Sequence, residues 1–274
     1  MTIDQRTVLI TGATSGLGSD IAARLAARGA TLLLHGRDPD RLHALCQDLG
    51  ERGATAYPYV ADLAALDEVR DLGRRLVADW PRLDVLVNNA GVGPGSPGAT
   101  RQLNRDGHEL RFAVNYLAPY ALTRQLLPAL RRSAAARVVN VGSAAQADLD
   151  LDDLMMAGGY DGWLAYGRAK LALASFSVDL AEELASDGIT VNCLHPADLM
   201  PTPMVRETGL RPMSTIEQGT EAVLRLVCDP VAETGSGAYH HGPNRAEPHA
   251  DVRDPEKRRL LREATERILA GQPV

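Results

Sequence analysis

The chain has 274 residues, 45% of them hydrophobic and 23% charged, enough apolar material for a large core, and one α/β domain of this size is ordinary. Its net charge of -6, with Lys and Arg scattered among acids, excludes the clustered basic surface that phosphate backbones require, so no nucleic-acid partner is expected. No apolar run reaches the ~20 residues of a membrane span. The start, Met1 to Arg6, has no hydrophobic signal segment, and the three cysteines, Cys46, Cys193 and Cys228, are far apart with no Cys-x-x-Cys; a soluble protein of the reducing cytoplasm is expected.

Thr7 to Thr11 is short, apolar and β-branched, and breaks into Gly12-Ala-Thr-Ser-Gly16-Leu-Gly18 before a helical pattern carried by Ile21, Leu25 and Ala26. This reads as strand, glycine turn, helix. Gly29 ends that helix, and Thr31 to His35 follows as a second strand whose near-continuous apolar run suits a parallel sheet covered on both faces. Asp38-Pro39, an N-cap with proline at the first helical position, opens a helix to about Arg52. Ala54 to Val60 is a third strand, Leu63 to Ala78 a third helix and Leu83 to Asn88 a fourth strand. A Gly/Pro-rich loop, Gly91 to Gly98, precedes a long helical region from about His108 to Arg132, kinked or divided at Pro119 and Pro128. Arg137 to Val141 is a fifth strand, followed by an irregular acidic stretch, Asp148 to Gly162. A helix from Tyr166 to Ala185, closed by Asp187-Gly188, leads into a sixth strand, Ile189 to Leu194. Residues 195 to 213, with Pro196, Pro201, Pro203 and Pro212, form a loop or lid. A helix from Thr215 to Cys228, a last strand around Gly237 to His241 and a charged helix from Pro255 to about Ala270 complete the chain. This alternation indicates βαβ units: an α/β fold with a doubly wound parallel sheet of about seven strands, helices on both faces, in one domain spanning 1 to 274.

Gly12-x-x-x-Gly16-x-Gly18 sits between a strand and a helix, where glycines let the backbone approach a pyrophosphate and the helix N-terminus offers N–H groups and partial positive charge. Alone, it is also what a tight structural turn looks like. Asn88-Asn89-Ala90-Gly91 falls just past the fourth strand, at the carboxyl edge where open α/β sheets bind ligands. Tyr166 and Lys170 are four residues apart and project from one face of a helix. A free phenol titrates near ~10, and a fixed cation beside it favours phenolate, which would make tyrosine an acid-base catalyst at neutral pH. On an exposed helix the same spacing is only a solvated surface.

Together, in this order, these landmarks resemble the short-chain dehydrogenase/reductase family from about residue 7 to residue 241, and imply its Rossmann fold. The long gap between Ser143 and Tyr166, Gly107-His-Glu-Leu before Asn115, and Tyr160-Asp-Gly-Trp before Tyr166 resemble its retinol-dehydrogenase-like branch. The resemblance implies a catalytic set of Asn115, Ser143, Tyr166 and Lys170. Tyr166 would be the general acid in carbonyl reduction and the base in alcohol oxidation, with Ser143 holding the reacting oxygen. Lys170 would lower the Tyr166 pKa and bind the nicotinamide ribose, and Asn115 would support Lys170 through a water. The cofactor is expected along Gly12, Thr14, Ser15, Gly16, Leu17 and Gly18, then Arg37, Asp62, Leu63, Asn89, Ala90, Gly91 and Pro196, with Tyr166 and Lys170 at its reactive end. Asp62 matches the family's adenine-contacting aspartate; it also reads as an N-cap for the following helix.

The end of the second strand bears on cofactor choice. A carboxylate about 20 residues beyond the glycine turn binds the 2'-hydroxyl of NAD(H), whereas an arginine favours a 2'-phosphate. Gly36 stands in the place of the acid, Arg37 follows, and Asp38 before Pro39 suits helix capping, so NADP(H) is expected over NAD(H). The family's Pro-Gly pair after the sixth strand is replaced by His195-Pro196-Ala197-Asp198, and Asp198 reads either as a substrate contact or as a cap for the lid. The loops at 92 to 106, 144 to 163 and 195 to 213 carry Val92, Leu151, Leu154, Met155, Met156, Trp163, Leu199, Met200, Met204 and Met213, an apolar set that suits a bulky hydrophobic ketone or aldehyde. No metal is expected, because no partner carboxylate or cysteine is spaced to complete a site with His240, His241 and His249, which read as surface or interface histidines. The resemblance further implies a homodimer or homotetramer. Two other readings stay open: a cofactor-sensing or partner-binding protein without turnover, and an atypical reaction such as carbon-carbon double-bond reduction or epimerisation.

Overall fold

The computed structural model describes residues 3–272; Met1 and Thr2, part of the start read as lacking a signal segment, lie outside the described residues. Short apolar strands alternate with helices: β1 Thr7–Ile10, α1 Gly16–Ala26, β2 Thr31–Gly36, α2 Pro39–Glu51, β3 Ala56–Val60, α3 Leu66–Asp79 and β4 Val85–Asn88. The second half continues with α4 Leu110–Phe112, a π-helical turn Ala113–Leu117, α5 Ala118–Leu130, β5 Arg137–Val141, α6 Gly162–Glu183 and β6 Thr190–His195. It ends with α7 Pro203–Glu207, α8 Ile216–Cys228, α9 Val231–Thr234, β7 Tyr239–His241, β8 Asn244–Ala246, α10 Ala250–Arg253 and α11 Pro255–Leu269.

The strands join in one sheet in the order β3-β2-β1-β4-β5-β6-β7-β8. All pairs are parallel except β7–β8, where Tyr239 faces Ala246 across an antiparallel hairpin. Parallel strands buried on both faces need apolar side chains in both directions, and β1 meets this: Val8, Leu9 and Ile10 are all fully buried. One side packs against α3, α5 and α6 through Leu72, Leu126 and Phe176; the other packs against α1, α2 and α8 through Ile21, Leu42 and Val223. The chain leaves β1 for β2 and β3, then returns to pair β4 on the other side of β1. That reversal opens a crevice at the carboxyl ends of β1 and β4, where doubly wound sheets bind ligands.

The doubly wound parallel sheet is therefore as expected, with one short antiparallel strand added at its edge. β8 was not legible because Asn244-Arg245-Ala246 is brief and largely exposed, without apolar alternation. The helix carrying Tyr166 begins earlier than expected, at Gly162, because Asp161 caps it by accepting a hydrogen bond from the Leu164 N–H at 2.8 Å. The third helix begins later, at Leu66. Pro119 does not break the long helical region; it sits in the first turn of α5, directly after the π-helical turn.

Candidate active site

The glycine turn is set by steric limits that only glycine meets. Gly12 has φ +66° and Gly16 φ +56°; a Cβ on Gly12 would lie 2.8 Å from Ala90 Cα, and one on Gly18 would lie 2.2 Å from the Gly12 carbonyl oxygen. β1 and β4 are thus held together at the crevice, with Asn89 Nδ2 donating to the carbonyls of Thr11 and Gly12 at 2.9 and 3.1 Å. Thr11 Oγ1 accepts from the N–H groups of both Asn89 and Ala90. Ser15 occupies the N-cap of α1 in extended conformation but makes no side-chain cap, so the first N–H groups of this helix keep no partner from it. Leu17 and Leu63 turn their side chains into the core.

His35, at the end of β2, fixes this turn from behind. Its Nδ1 accepts the Gly12 N–H at 3.2 Å, so Nε2 carries the proton and donates to the Ala61 carbonyl at 3.1 Å. Burial drives its pKa down to about 4, which keeps the ring neutral and this tautomer in place. The sequence offered no sign of the role beyond a polar residue in an apolar strand. A Cβ on Gly36 would lie 2.6 Å from Thr14 Cγ2, leaving the space beside Thr14 to backbone alone. Arg37 is exposed and no carboxylate pairs with it among the described residues, whereas Asp38 caps α2 by accepting from the Arg41 N–H at 3.1 Å. Asp62 is not the cap of α3: its carboxylate accepts from Ala64 N–H at 3.0 Å, and the Leu66 N–H donates instead to Asp106, brought in from a loop 40 residues on.

The side expected to be catalytic is built from buried side chains. Ser143 follows β5, and Tyr166 and Lys170 stand on α6; their residues are 7%, 9% and 3% exposed. The α6 N-terminus is pressed close to its neighbours, since a Cβ on Gly162 would meet the Pro94 carbonyl at 2.2 Å and one on Gly167 the Ala145 carbonyl at 3.1 Å. Lys170 Nζ donates to the Val141 carbonyl at 2.8 Å and lies 5.7 Å from the centroid of the Tyr166 ring. Burial lowers the Lys170 pKa to about 8, and no carboxylate pairs with it among the described residues. The adjacent Cys193 thiol, pushed up to about 12 by burial, stays neutral beneath it.

Tyr166 departs from the sequence expectation. Its pKa is raised by burial, and the opposing influence is a hydrogen bond with Ser143 rather than the lysine. Lys170 directs its ammonium to a carbonyl, so in this arrangement desolvation outweighs the cation. The side chain of Asn115 is committed in both directions to Val92, accepting its N–H at 2.8 Å and donating to its carbonyl at 2.9 Å. The regular α-helical donor to the Asn115 carbonyl would be residue 119, a proline without an N–H, so the carbonyl lacks that partner.

Three features went unseen in the sequence. A buried polar chain runs from Asn88 Nδ2 to Thr123 Oγ1 and Asn140 Oδ1, and from Asn140 Nδ2 to Ser177 Oγ, tying β4, β5, α5 and α6 together. Arg111, paired with Glu109, donates to the carbonyls of Gly93 and Pro94, while Tyr160 donates to Glu109, so the loop after β4 is braced against the segment before α6. A cavity of about 400 Å³ lies between these two segments, lined from Pro94 to Arg101 and from Tyr160 to Trp163, whose ring centroid is 6.5 Å from that of Tyr166. Of the apolar set read from the loops, Leu154, Met156 and Met200 are buried, whereas Trp163 is half exposed beside Tyr166. Met204 reaches within 3.6 Å of where a Gly91 Cβ would lie.

After β6, Pro196 is buried, and the Asp198 carboxylate accepts from His195 Nε2 at 2.9 Å while its backbone carbonyl accepts from Ser214, which folds the lid back on itself. Carboxylates meet two of the histidines in space: Asp198 lies with His195 and His241, and Asp148 and Asp251 lie with His249.

The profile of the short chain dehydrogenase family matches residues 6–212. Retinol dehydrogenase 13 of Mus musculus is 38% identical over 216 residues, covering 76% of this chain and 63% of that protein, so the chain spans less than two thirds of that relative's length. Dehydrogenase/reductase SDR family member 13 of Homo sapiens is 33% identical over 98% of this chain and 74% of its own length. Among solved structures, an uncharacterised protein from Mycobacterium Paratuberculosis superposes with TM-score 0.82 at 28% identity, covering 100% of this chain and 97% of the other. The Pseudomonas aeruginosa RhlG/NADP active-site complex superposes with TM-score 0.71 at 29% identity, covering 88% and 95%. This chain belongs to the short-chain dehydrogenase/reductase family, in its retinol-dehydrogenase-like branch.

Proposed function

We propose that this protein is an NADP(H)-dependent oxidoreductase that interconverts a carbonyl and an alcohol on a largely hydrophobic small molecule, with Tyr166 moving the proton. The observation that carries the reading is the convergence of Ser143, Tyr166 and Lys170, all buried, on the crevice that begins at the Gly12–Gly18 turn. A solvated helix pair would show none of that burial. The residues present fit a dinucleotide: glycines where any Cβ collides, uncapped N–H groups at α1, and an exposed arginine beyond β2. When bound, the nicotinamide supplies or accepts the hydride.

The protein's own part is to hold and move protons. Burial keeps Tyr166 as the neutral phenol at pH 7, so its Oη–H is ready to donate to a carbonyl oxygen as negative charge develops there. Ser143, hydrogen-bonded to Tyr166, is placed to hold the same oxygen. Once Tyr166 has given its proton, the nearby Lys170 ammonium stabilises the phenolate, and the Asn115 carbonyl gives a water beside Lys170 a place to bind while the proton is replaced. Oxidation runs the same steps in reverse, with Tyr166 as base.

NADP(H) is favoured because no carboxylate pairs with Arg37 among the described residues, while Asp38, the residue that would repel a 2'-phosphate, is engaged as a cap. The apolar Trp163 and Met204 beside the centre favour a hydrophobic substrate, in keeping with relatives named retinol dehydrogenases. Following NADPH and NADH consumption against a panel of ketones, aldehydes and quinones tests both parts. We expect turnover with NADPH, and Arg37→Ala to lower kcat/KM for NADPH by roughly 10- to 100-fold, the range of one charge-assisted hydrogen bond, while leaving NADH unchanged. A wild-type preference for NADH would overturn the cofactor assignment, and no consumption with any of the panel would overturn the activity.

A further inference from the structure

β6 and β7 end on a histidine each, and the two are Cα partners in the parallel ladder, His195 with His241. In-register neighbours on parallel strands project to the same face, so both imidazoles leave the carboxyl edge of the sheet together; His240, one residue earlier, is buried. The rings stand edge to face with centroids 4.7 Å apart. The turn at Pro196 and Ala197 then brings Asp198 over them, with one carboxylate oxygen 2.9 Å from His195 Nε2 and the other 3.9 Å from His241 Nε2. One donor atom from each of the three residues lies within 4.8 Å of the others.

We propose that His195, Asp198 and His241 form a binding site for a divalent transition-metal ion of the zinc class, which would pin the loop after β6 to the sheet edge. Two imidazoles and a carboxylate are a donor set that zinc, cobalt(II) and nickel(II) accept. Bond lengths of about 2.0–2.2 Å in a tetrahedral site place donor atoms roughly 3.4 Å apart, within the spread seen here, so small side-chain rotations suffice. Two of the ligands are on strand ends rather than on mobile loops, and Asp198 is more than half exposed, which leaves the fourth position open to water. No lysine or arginine pairs with Asp198 among the described residues. The comparable group of Asp148, His249 and Asp251 differs on this point: Lys257 Nζ already lies 2.6 Å from Asp251 and neutralises it. Because Pro196 and Ala197 lie between two ligands, the ion would close a small ring of chain over the segment expected to edge the nicotinamide, stiffening it without entering the chemistry.

The test uses the full chain stripped with chelator and titrated with cobalt(II), following visible ligand-field absorption and bound metal per chain, then displacement by zinc. We expect one cobalt per chain with the strong absorption of a tetrahedral site. His241→Gln and Asp198→Asn should abolish that absorption and weaken zinc binding by more than the 10- to 100-fold typical of losing an outer-sphere partner, while Asp148→Asn leaves both unchanged. Retained NADPH fluorescence on binding would show that the variants are folded. No ligand-field absorption in the wild type, absorption that survives in both His241→Gln and Asp198→Asn, or absorption lost in Asp148→Asn would each overturn the proposal.

Discussion

The two walls of the crevice are made of different materials. The wall proposed for the nucleotide, at the ends of β1 and β2, is backbone: Gly12, Gly16, Gly18 and Gly36 shape it, and its form comes from the absence of side chains at those positions. The wall proposed to be catalytic, at the end of β5 and along α6, is side chain: Ser143, Tyr166 and Lys170 are all buried, and desolvation moves the protonation equilibria of Tyr166 and Lys170. A backbone wall tolerates no added atom, whereas a side-chain wall tolerates substitution in shape but not in protonation. Changes on one wall should therefore appear in binding, and changes on the other in rate.

The largest effect should come from the catalytic wall. Tyr166→Phe removes the proton and little volume, so kcat should fall by about 10²–10⁴-fold, the range of a positioned acid-base group, with the NADPH dissociation constant held within a few-fold. Weakened cofactor binding of similar size would erase the distinction between the walls.

Next is a titratable side chain that supports the backbone wall, His35. The folded-state pKa of His35 is about 4, below the unfolded 6.5, so its contribution is intact above pH 6.5 and is lost as pH falls through 4, when the unfolded chain takes up the proton first. The difference corresponds to roughly 3 kcal/mol. Urea unfolding at pH 7 and pH 4.5 should show a steeper loss for the wild type than for His35→Asn; parallel slopes would remove His35 from the account.

Gly12→Ala should come third. A non-glycine residue at φ +66° carries strain of order 1–3 kcal/mol and its Cβ meets Ala90, so NADPH should bind roughly 10- to 100-fold more weakly while the pH dependence of the residual rate is unaltered. A changed pH profile would show that the walls are coupled.

The smallest effect runs in the opposite sense. Lys170 titrates near 8 when folded and 10.5 when unfolded, so its buried charge is a full destabilising load below pH 8, relieved as pH rises towards 10.5. Lys170→Met should stabilise the fold at pH 7 by roughly 1–2 kcal/mol, since the lifted load exceeds the loss of the hydrogen bond to Val141, and the gain should fade by pH 10 in thermal melts. Lower stability at pH 7 would mean that the bond to Val141 outweighs the desolvation.

The same division explains what the sequence disclosed. The glycine spacing, the apolar runs and the Tyr166–Lys170 interval are local patterns, and the structure brings the residues read from them to one crevice. Contacts that depend on long-range topology were invisible: His35 reaching Gly12, Asp106 taking the capping place that Asp62 was offered, and the Asn88–Asn140–Ser177 chain inside the sheet. The direction of the Tyr166 shift was missed for a related reason. Spacing reports the distance to a cation, but desolvation depends on how completely the rest of the chain closes over the phenol, and no interval records that.

The π-helical turn Ala113–Leu117 adds a constraint of another kind. Each helical residue advances the chain by 100°, so the wider turn sets the angular phase of everything after it, including the Leu122, Leu126 and Leu130 stripe that meets the core. Asn115 at the crevice and the α5 core seam are thus geared to one another. A single-residue deletion within the turn would leave the composition almost unchanged and yet rotate the seam by more than a quarter circle relative to the site, so this stretch can change its residue types far more freely than its length.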